Sequence, residues 1–441
     1  MNYWYVAVLI SMFGCGPAAD VFVNSDGVPH AIMRPSQEMM DSLLLERKAI
    51  MEEKVQMQAM STSVVAERVD LSSLLSYPDS ARSQGSCGDC WVWSNTGSVE
   101  ILLASYGARD PLSIQYINSG YVSGSGNGAC CGGLTSKFID WYNSKDIFIS
   151  RNNTNADFVD GDIRCGDASG MLFSNISTTP RHPFVNFTMR NISTRGVSQQ
   201  SAIDNIKGEL SKGNSVVYDY YLPNSSSWGD FYNFWDNSEE TSLWGTDDYN
   251  GLTWDAGSGG GHSVLIVGYD SNYWIVKNSW GTSEKRPNGV FRLRQNLNYD
   301  ASLHYYGSSL DINWFTVVGI SWNQVVVTSS PQSVIIKYGA DTELSVTAAG
   351  GNEPYRYQWF KNNSVVSGAT ARVYKIKSAK ESNSGTYFVS VADANSSNAN
   401  SDAATVTVLP ESCNSCSATG PEFMASLIMM GSFWFFVRRR R

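Results

Sequence analysis

Three stretches of this 441-residue chain carry side chains that together could break acyl bonds. The first is Gln84-Gly85-Ser86-Cys87-Gly88-Asp89-Cys90-Trp91. The second is Gly261-His262-Ser263-Val264-Leu265-Ile266-Val267-Gly268-Tyr269. The third is Lys277-Asn278-Ser279-Trp280-Gly281, followed by Asn288-Gly289-Val290-Phe291-Arg292. A thiol, an imidazole and a carboxamide are the parts of a nucleophilic cysteine site. A free thiol has a pKa of about 8.5 and attacks only as the thiolate, so Cys90 needs help to ionise. The run from Trp91 to Tyr106 has no breaker except Gly97 and predicts a helix beginning at Cys90, whose unpaired N–H groups favour negative charge. His262 follows a glycine run and opens a Val-Leu-Ile-Val strand, placing its ring at the strand start to receive the thiol proton and hold the thiolate as an ion pair. Asn278 would accept a hydrogen bond from the other ring nitrogen and fix the tautomer.

Simpler readings compete at each position. Cys90 alone could be a buried thiol or half of a disulfide. His30 lies in a prosegment-like region, His182 in a loop-like stretch after Pro180 and Arg181, and His304 before Tyr305-Tyr306, so all three read as structural. Cys130-Cys131 and the Cys413/Cys416 pair lack histidines at ligand spacing, so no metal is expected, and no cofactor either.

The three stretches, in this order, resemble the catalytic segments of papain-like (C1 family) cysteine peptidases, and with intervening signals the resemblance covers about 69–320. It implies an α+β papain-like two-lobed peptidase domain with Cys90, His262 and Asn278 catalytic. Gln84's side-chain amide and the Cys90 backbone N–H would be the oxyanion donors. Trp280 would shield the Asn278–His262 pair from water, and Gly88, Gly132, Gly133 and Trp280 would line the substrate cleft. It further implies a Cys87–Cys130 disulfide. The family's second bridge normally starts after a Leu-Ser-x-Gln segment, but Leu112-Ser113-Ile114-Gln115 leads to Ser119, so Cys131 is the substitute, pairing with Cys165. Substrates would be proteins or peptides.

Two departures stand out. Asp89 occupies a position usually filled by a small residue, where a carboxylate would raise the thiol pKa unless it turned to solvent. Cys90 and His262 are 172 residues apart, against roughly 130–150 in the family. The surplus falls in 219–260, rich in aromatics from Tyr220 to Trp254. That stretch is either a wall of the cleft or a satellite core under a long loop.

Other elements must position these parts. Residues 36–60 are rich in helix formers and place Met39, Leu43, Leu44 and Ile50 at roughly helical spacing, so 20–68 reads as a short propeptide or a linker helix. Beyond about Trp322 the pattern changes to short alternating strands. Tyr357-Gln358-Trp359 and Ser384-Gly385-Thr386-Tyr387 stand in the order of an immunoglobulin-like domain, which implies an all-β sandwich over 322–410 with Val346 and Val389 at the positions of the inter-sheet cysteines. A spacer is the expected role, with ligand binding behind it. At the ends, 1–19 resembles a signal peptide cut near Ala19, although without a basic start. Residues 423–437 are uncharged and precede Arg438 to Arg441. Fifteen residues at 1.5 Å each span about 22 Å, short of a full hydrocarbon core. This tail, 411–441, resembles bacterial C-terminal sorting signals and implies export, transient membrane anchoring and a sorting protease as partner.

Composition excludes more than it assigns. Net charge is −9 and 17% of residues are charged, which argues against nucleic acid as a partner. The 42% hydrophobic content can fill a sizeable core. The expectation is an exported, surface-anchored cysteine endopeptidase. The alternative is a surface adhesin on a catalytically impaired peptidase scaffold.

Overall fold

The computed structural model describes residues 22–23, 29–53, 66–121, 128–184, 186–322 and 324–410. The signal-like segment, Cys15, Cys413, Cys416 and the arginine-ended tail lie outside the described residues. Among the described residues, no helix is long and apolar enough to cross a membrane. The chain divides into two units, 1–323 and 324–441.

The first unit is α+β. Its helices are α1 (Gln37–Glu53), α2 (Cys90–Ser105), α3 (Ile114–Gly120), α4 (Thr135–Asn143), α5 (Gln199–Ser211) and α6 (Ser225–Asn237). The sheet strands are β1 (Val69–Asp70), β2 (Asn186–Asn191), β3 (Val216–Leu222), β4 (Leu243–Trp244), β5 (Gly260–Tyr269), β6 (Tyr273–Lys277), β7 (Val290–Arg294) and β8 (Asn313–Ser321). They form one eight-stranded sheet in the order β2-β8-β3-β5-β6-β7-β4, with β1 also paired to β5.

β5 sits in the middle of that sheet, and every one of its residues is buried. A strand covered on both faces reads as a continuous apolar run rather than an alternation, which is why Val264 to Val267 looks as it does. One face, with Leu265 and Val267, packs with Val217 of β3 and Ile101 of α2. The other, with Val264 and Ile266, joins the large aromatic core that α6 also enters.

α2 is buried almost all round, from Cys90 to Ile101 and again at Leu103. Several of its polar side chains are paired inside the molecule, where an unpaired buried polar group costs about 1–3 kcal/mol. Ser94 Oγ meets Ser263 Oγ at 2.6 Å, and Ser98 Oγ accepts from Ser215 Oγ at 3.0 Å. Glu100 takes the Arg82 guanidinium at 3.2 Å and the Leu112 N–H at 2.9 Å. The Ser94–Ser263 bond ties the helix carrying Cys90 to the strand carrying His262.

The second unit is all-β. Its strands are β9 (Val326–Ser329), β10 (Val334–Lys337), β11 (Thr342–Ser345), β12 (Thr347–Ala349), β13 (Arg356–Lys361), β14 (Ser364–Val365), β15 (Val373–Ile376), β16 (Gly385–Ala392), β17 (Asn398–Asn400) and β18 (Ala404–Leu409). Trp359 is fully buried against a core that includes Val346 and Val389, the two aliphatic side chains standing in for an inter-sheet disulfide. The Tyr387 hydroxyl donates to the Asn383 carbonyl at 2.8 Å, closing the corner into β16.

Candidate active site

Cys90 is the first residue of α2 and is wholly buried. Its Sγ accepts a hydrogen bond from the Ser263 N–H at 3.4 Å, which holds the thiol against the start of β5 beside His262. His262 Nε2 lies 2.8 Å from Asn278 Oδ1. That oxygen also accepts from the Ser279 N–H at 2.8 Å, which orients the carboxamide. An amide oxygen can only accept, so Nε2 carries the proton and Nδ1 is the basic nitrogen. Nδ1 is buried and makes no hydrogen bond.

Trp280 lies over this pair, with its ring centroid 4.7 Å from that of His262. The Gln84 carboxamide is fixed at its oxygen by the Ser279 hydroxyl at 2.6 Å, and its Nε2 donates to the Cys87 carbonyl at 2.7 Å. Disulfides join Cys87 to Cys130 and Cys131 to Cys165, the two pairings implied by the resemblance. Among the described residues, Cys90 is the remaining free cysteine.

The expected glycines divide by role. A Cβ on Gly88 would fall 2.5 Å from the Cys130 carbonyl oxygen, and its N–H bonds that carbonyl at 3.1 Å. Gly132 has a φ of 99°, and a Cβ there would fall 2.9 Å from that of Met33. Gly133 instead lies against the Trp91 indole, 2.4 Å from a ring carbon if it had a Cβ, so its smallness serves packing.

The groove is filled by the chain's own segment 29–34. Ala31, Ile32 and Met33 are each 2% exposed or less. The Ala31 N–H donates to the Gly85 carbonyl at 3.1 Å, and Met33 and Gly261 exchange both backbone hydrogen bonds at 2.9 and 3.1 Å. The Ala31 carbonyl accepts from Gln84 Nε2 at 3.2 Å and from the Trp280 indole N–H at 3.3 Å. Beyond it, the Arg34 guanidinium donates to the Ser258 and Gly259 carbonyls. α1 follows, with Met40 and Leu43 in the core and Glu46 accepting from the Ser136 hydroxyl at 2.6 Å.

This cover decides the protonation states. Burial pushes the Cys90 thiol far up and the His262 imidazole down to about 3, the Asn278 hydrogen bond only partly opposing the latter. A helix N-terminus contributes about 1–2 kcal/mol toward an anion at best. Dehydrating an ion costs several kcal/mol. Dehydration opposes both charges, so burial under this cover works against the thiolate–imidazolium pair expected from sequence.

Asp89 is buried too, not solvent-facing. Its carboxyl accepts from Asn118 Nδ2 at 2.8 Å, and burial raises its pKa well above the usual carboxylate range. That shift favours the neutral acid, and any charge it keeps pushes the neighbouring Cys90 thiol further up.

The aromatic surplus forms no satellite. α6 inserts Trp228, Phe231, Tyr232, Phe234 and Trp235 into the main core. Tyr232 stacks on Trp280 at 5.6 Å, and Phe231 approaches its edge at 5.4 Å. Sequence reading missed Ser263 and Ser279, which orient the thiol and both carboxamides. Their places directly after His262 and Asn278 were the available signal.

The arrangement defines a papain-like cysteine peptidase domain followed by an immunoglobulin domain. The Papain family cysteine protease profile matches residues 247–309, and the Immunoglobulin domain profile matches 326–392. Human cathepsin O is 28% identical over 208 residues, 46% of this chain and 53% of that protein. The decoration protein of Escherichia phage T5 is 37% identical over 78 residues, 18% of this chain and 48% of its own. The solved digestive procathepsin L2 of Tenebrio molitor aligns with 59% of this chain and 70% of its own, at 18% identity and a TM-score of 0.40. The chain spans about half the length of the curated cathepsins it matches.

Proposed function

We propose that this chain is the latent precursor of an exported cysteine endopeptidase that hydrolyses peptide bonds through Cys90, His262 and Asn278. The observation carrying this reading is the fixed tautomer of His262, with Nε2 on Asn278 and Nδ1 left basic beside the start of α2. With the groove open to water, Cys90 passes its proton to Nδ1, and the thiolate attacks the substrate carbonyl. The Gln84 amide and the Cys90 N–H receive the developing oxyanion. His262 then protonates the leaving amine, and water completes hydrolysis of the thioester.

Segment 29–34 is the inhibitory part of the precursor and α1 its anchor. The signal-like 1–19 and the tail at 411–441 support export and surface anchoring, and the tail would be the substrate of a sorting protease. The second unit serves as a spacer.

The test uses the full chain with a protease site introduced in 54–65 and cut after folding. It should hydrolyse a peptide pool under reducing conditions, and Cys90→Ala should abolish this. Hydrolysis that survives Cys90→Ala sinks the mechanism.

A further inference from the structure

The His30 ring lies flat on the Trp280 indole, with centroids 4.8 Å apart and planes 9° from parallel. Its Nε2 is 3.4 Å from a carboxylate oxygen of Asp236, near the end of α6. Asp236 is 16% exposed and His30 2%, so an aromatic face and a carboxylate line one slot that this ring fills. Trp280 also lies over His262, the group that protonates the leaving amine, so the slot is on the leaving-group side of the scissile bond.

We propose that Trp280 and Asp236 form a specificity slot that selects a cationic, preferably planar, side chain on the residue following the scissile bond. The proposal rests on the peptidase reading above and assigns the substrate class of that same site. A guanidinium suits both walls: its plane stacks on an indole, and its edge pairs with a carboxylate. An ammonium uses the charge without the stacking, and an acidic side chain is repelled. Asp236 is the carboxylate at the slot itself, 3.4 Å from the His30 ring. Asp236, Glu239 and Glu240 all act on the buried Arg286, whose guanidinium donates to the Phe234 and Trp235 carbonyls. Lys285 adds one more cation, bound to the Asn237 carbonyl at 3.0 Å. His30 is the chain's own occupant of the slot, placed there by the same inhibitory segment whose Ala31 carbonyl takes the Gln84 amide.

The test measures kcat/KM of the cut full chain on quenched peptides identical except for Arg, Lys, His, Ala or Glu after the scissile bond. Arg should exceed Ala by about tenfold and Glu should be poorest. Asp236→Asn should bring the Arg/Ala ratio to within about twofold, and Asp236→Lys should reverse the Arg/Glu order. In the uncut chain, with Asp236 intact, His30→Glu should shorten the lag before activity and His30→Arg should lengthen it. An Arg/Ala ratio near one in the native sequence overturns the slot, as does a preference unchanged in both Asp236 variants. A coumarin amide, which has no residue after the bond, separates the two claims. Its hydrolysis without any leaving-side preference removes the slot alone, whereas no hydrolysis of any substrate removes the peptidase reading and the slot with it.

Discussion

The side-chain amide of Gln84 donates to the backbone carbonyl of Ala31 at 3.2 Å, so a donor suited to an oxyanion is taken up by the chain's own N-terminal segment. The same carbonyl holds the Trp280 indole N–H, and two residues on Met33 pairs with Gly261 on both backbone atoms. The groups that the proposed reading assigns to catalysis are thus the ones this segment occupies.

Disrupting that segment should shorten latency. Ile32→Asp in the uncut chain buries a carboxylate where the native side chain is 1% exposed, a cost of several kcal/mol that undocking relieves. Progress curves should lose their lag. A lag equal to that of the native sequence would remove 29–34 from the inhibitory role.

Gln84→Ala should lower kcat by about 10²–10³-fold with little change in KM, the signature of a group that acts in the transition state. Steady-state kinetics on a coumarin amide checks this, and a pure KM effect would argue for substrate binding instead.

Asp89→Asn should keep both fold and activity, because burial already favours the uncharged carboxyl and an amide oxygen can keep the Asn118 hydrogen bond. Circular dichroism and kcat/KM at pH 7 would test this. A large loss of activity in a folded variant would mean that the charge is present and used.

Asp219 on β3 gives a pH dependence. Burial pushes its pKa up to about 6 from the ordinary 3.8, with the Ser263 hydroxyl opposing and Glu46 of α1 adding to the rise. A raised carboxylate pKa means the folded state holds a proton that the unfolded chain has released. That stabilisation is complete below pH 3.8 and is lost as pH rises through about 6. The melting temperature of the uncut chain should therefore fall from pH 4 toward pH 7 by this route, and Asp219→Asn should flatten the decline. Identical slopes for both chains would refute the assignment.

In the second unit, Trp359→Ala should cost about 3–5 kcal/mol, since the ring is fully buried among Leu344, Val389 and Val406. A melting transition of that unit left unmoved would contradict this packing.

Much of this was legible in the sequence, for identifiable reasons. The helix from Cys90 and the strand at His262 follow from an unbroken helical run and a continuous apolar run. The two disulfides are the pairings that the resemblance to papain-like peptidases implies. What the sequence hid depends on tertiary proximity. Nothing local tells that Ala31 meets Gln84, 53 residues on, or that Asp236 meets His30 across 206 residues. Asp89 reads as an exposed or harmful charge because its burial, which raises its pKa, is invisible in a tetrapeptide. The sequence leaves the surplus before His262 open between a cleft wall and a satellite core, because its aromatics cluster without a clear period. Five of them lie on α6 and enter the core around Trp280.

The most direct test is the rate at which a small thiol alkylator modifies Cys90 near neutral pH, followed by intact mass before and after cutting in 54–65. In the uncut chain the neutral, covered thiol should react slowly. Once the segment leaves, Cys90 should be labelled fast, with an apparent pKa well below that of a free thiol and with parallel loss of hydrolysis. Equally slow labelling in both states, or full hydrolysis by enzyme already alkylated at Cys90, would contradict a thiolate nucleophile at the head of α2.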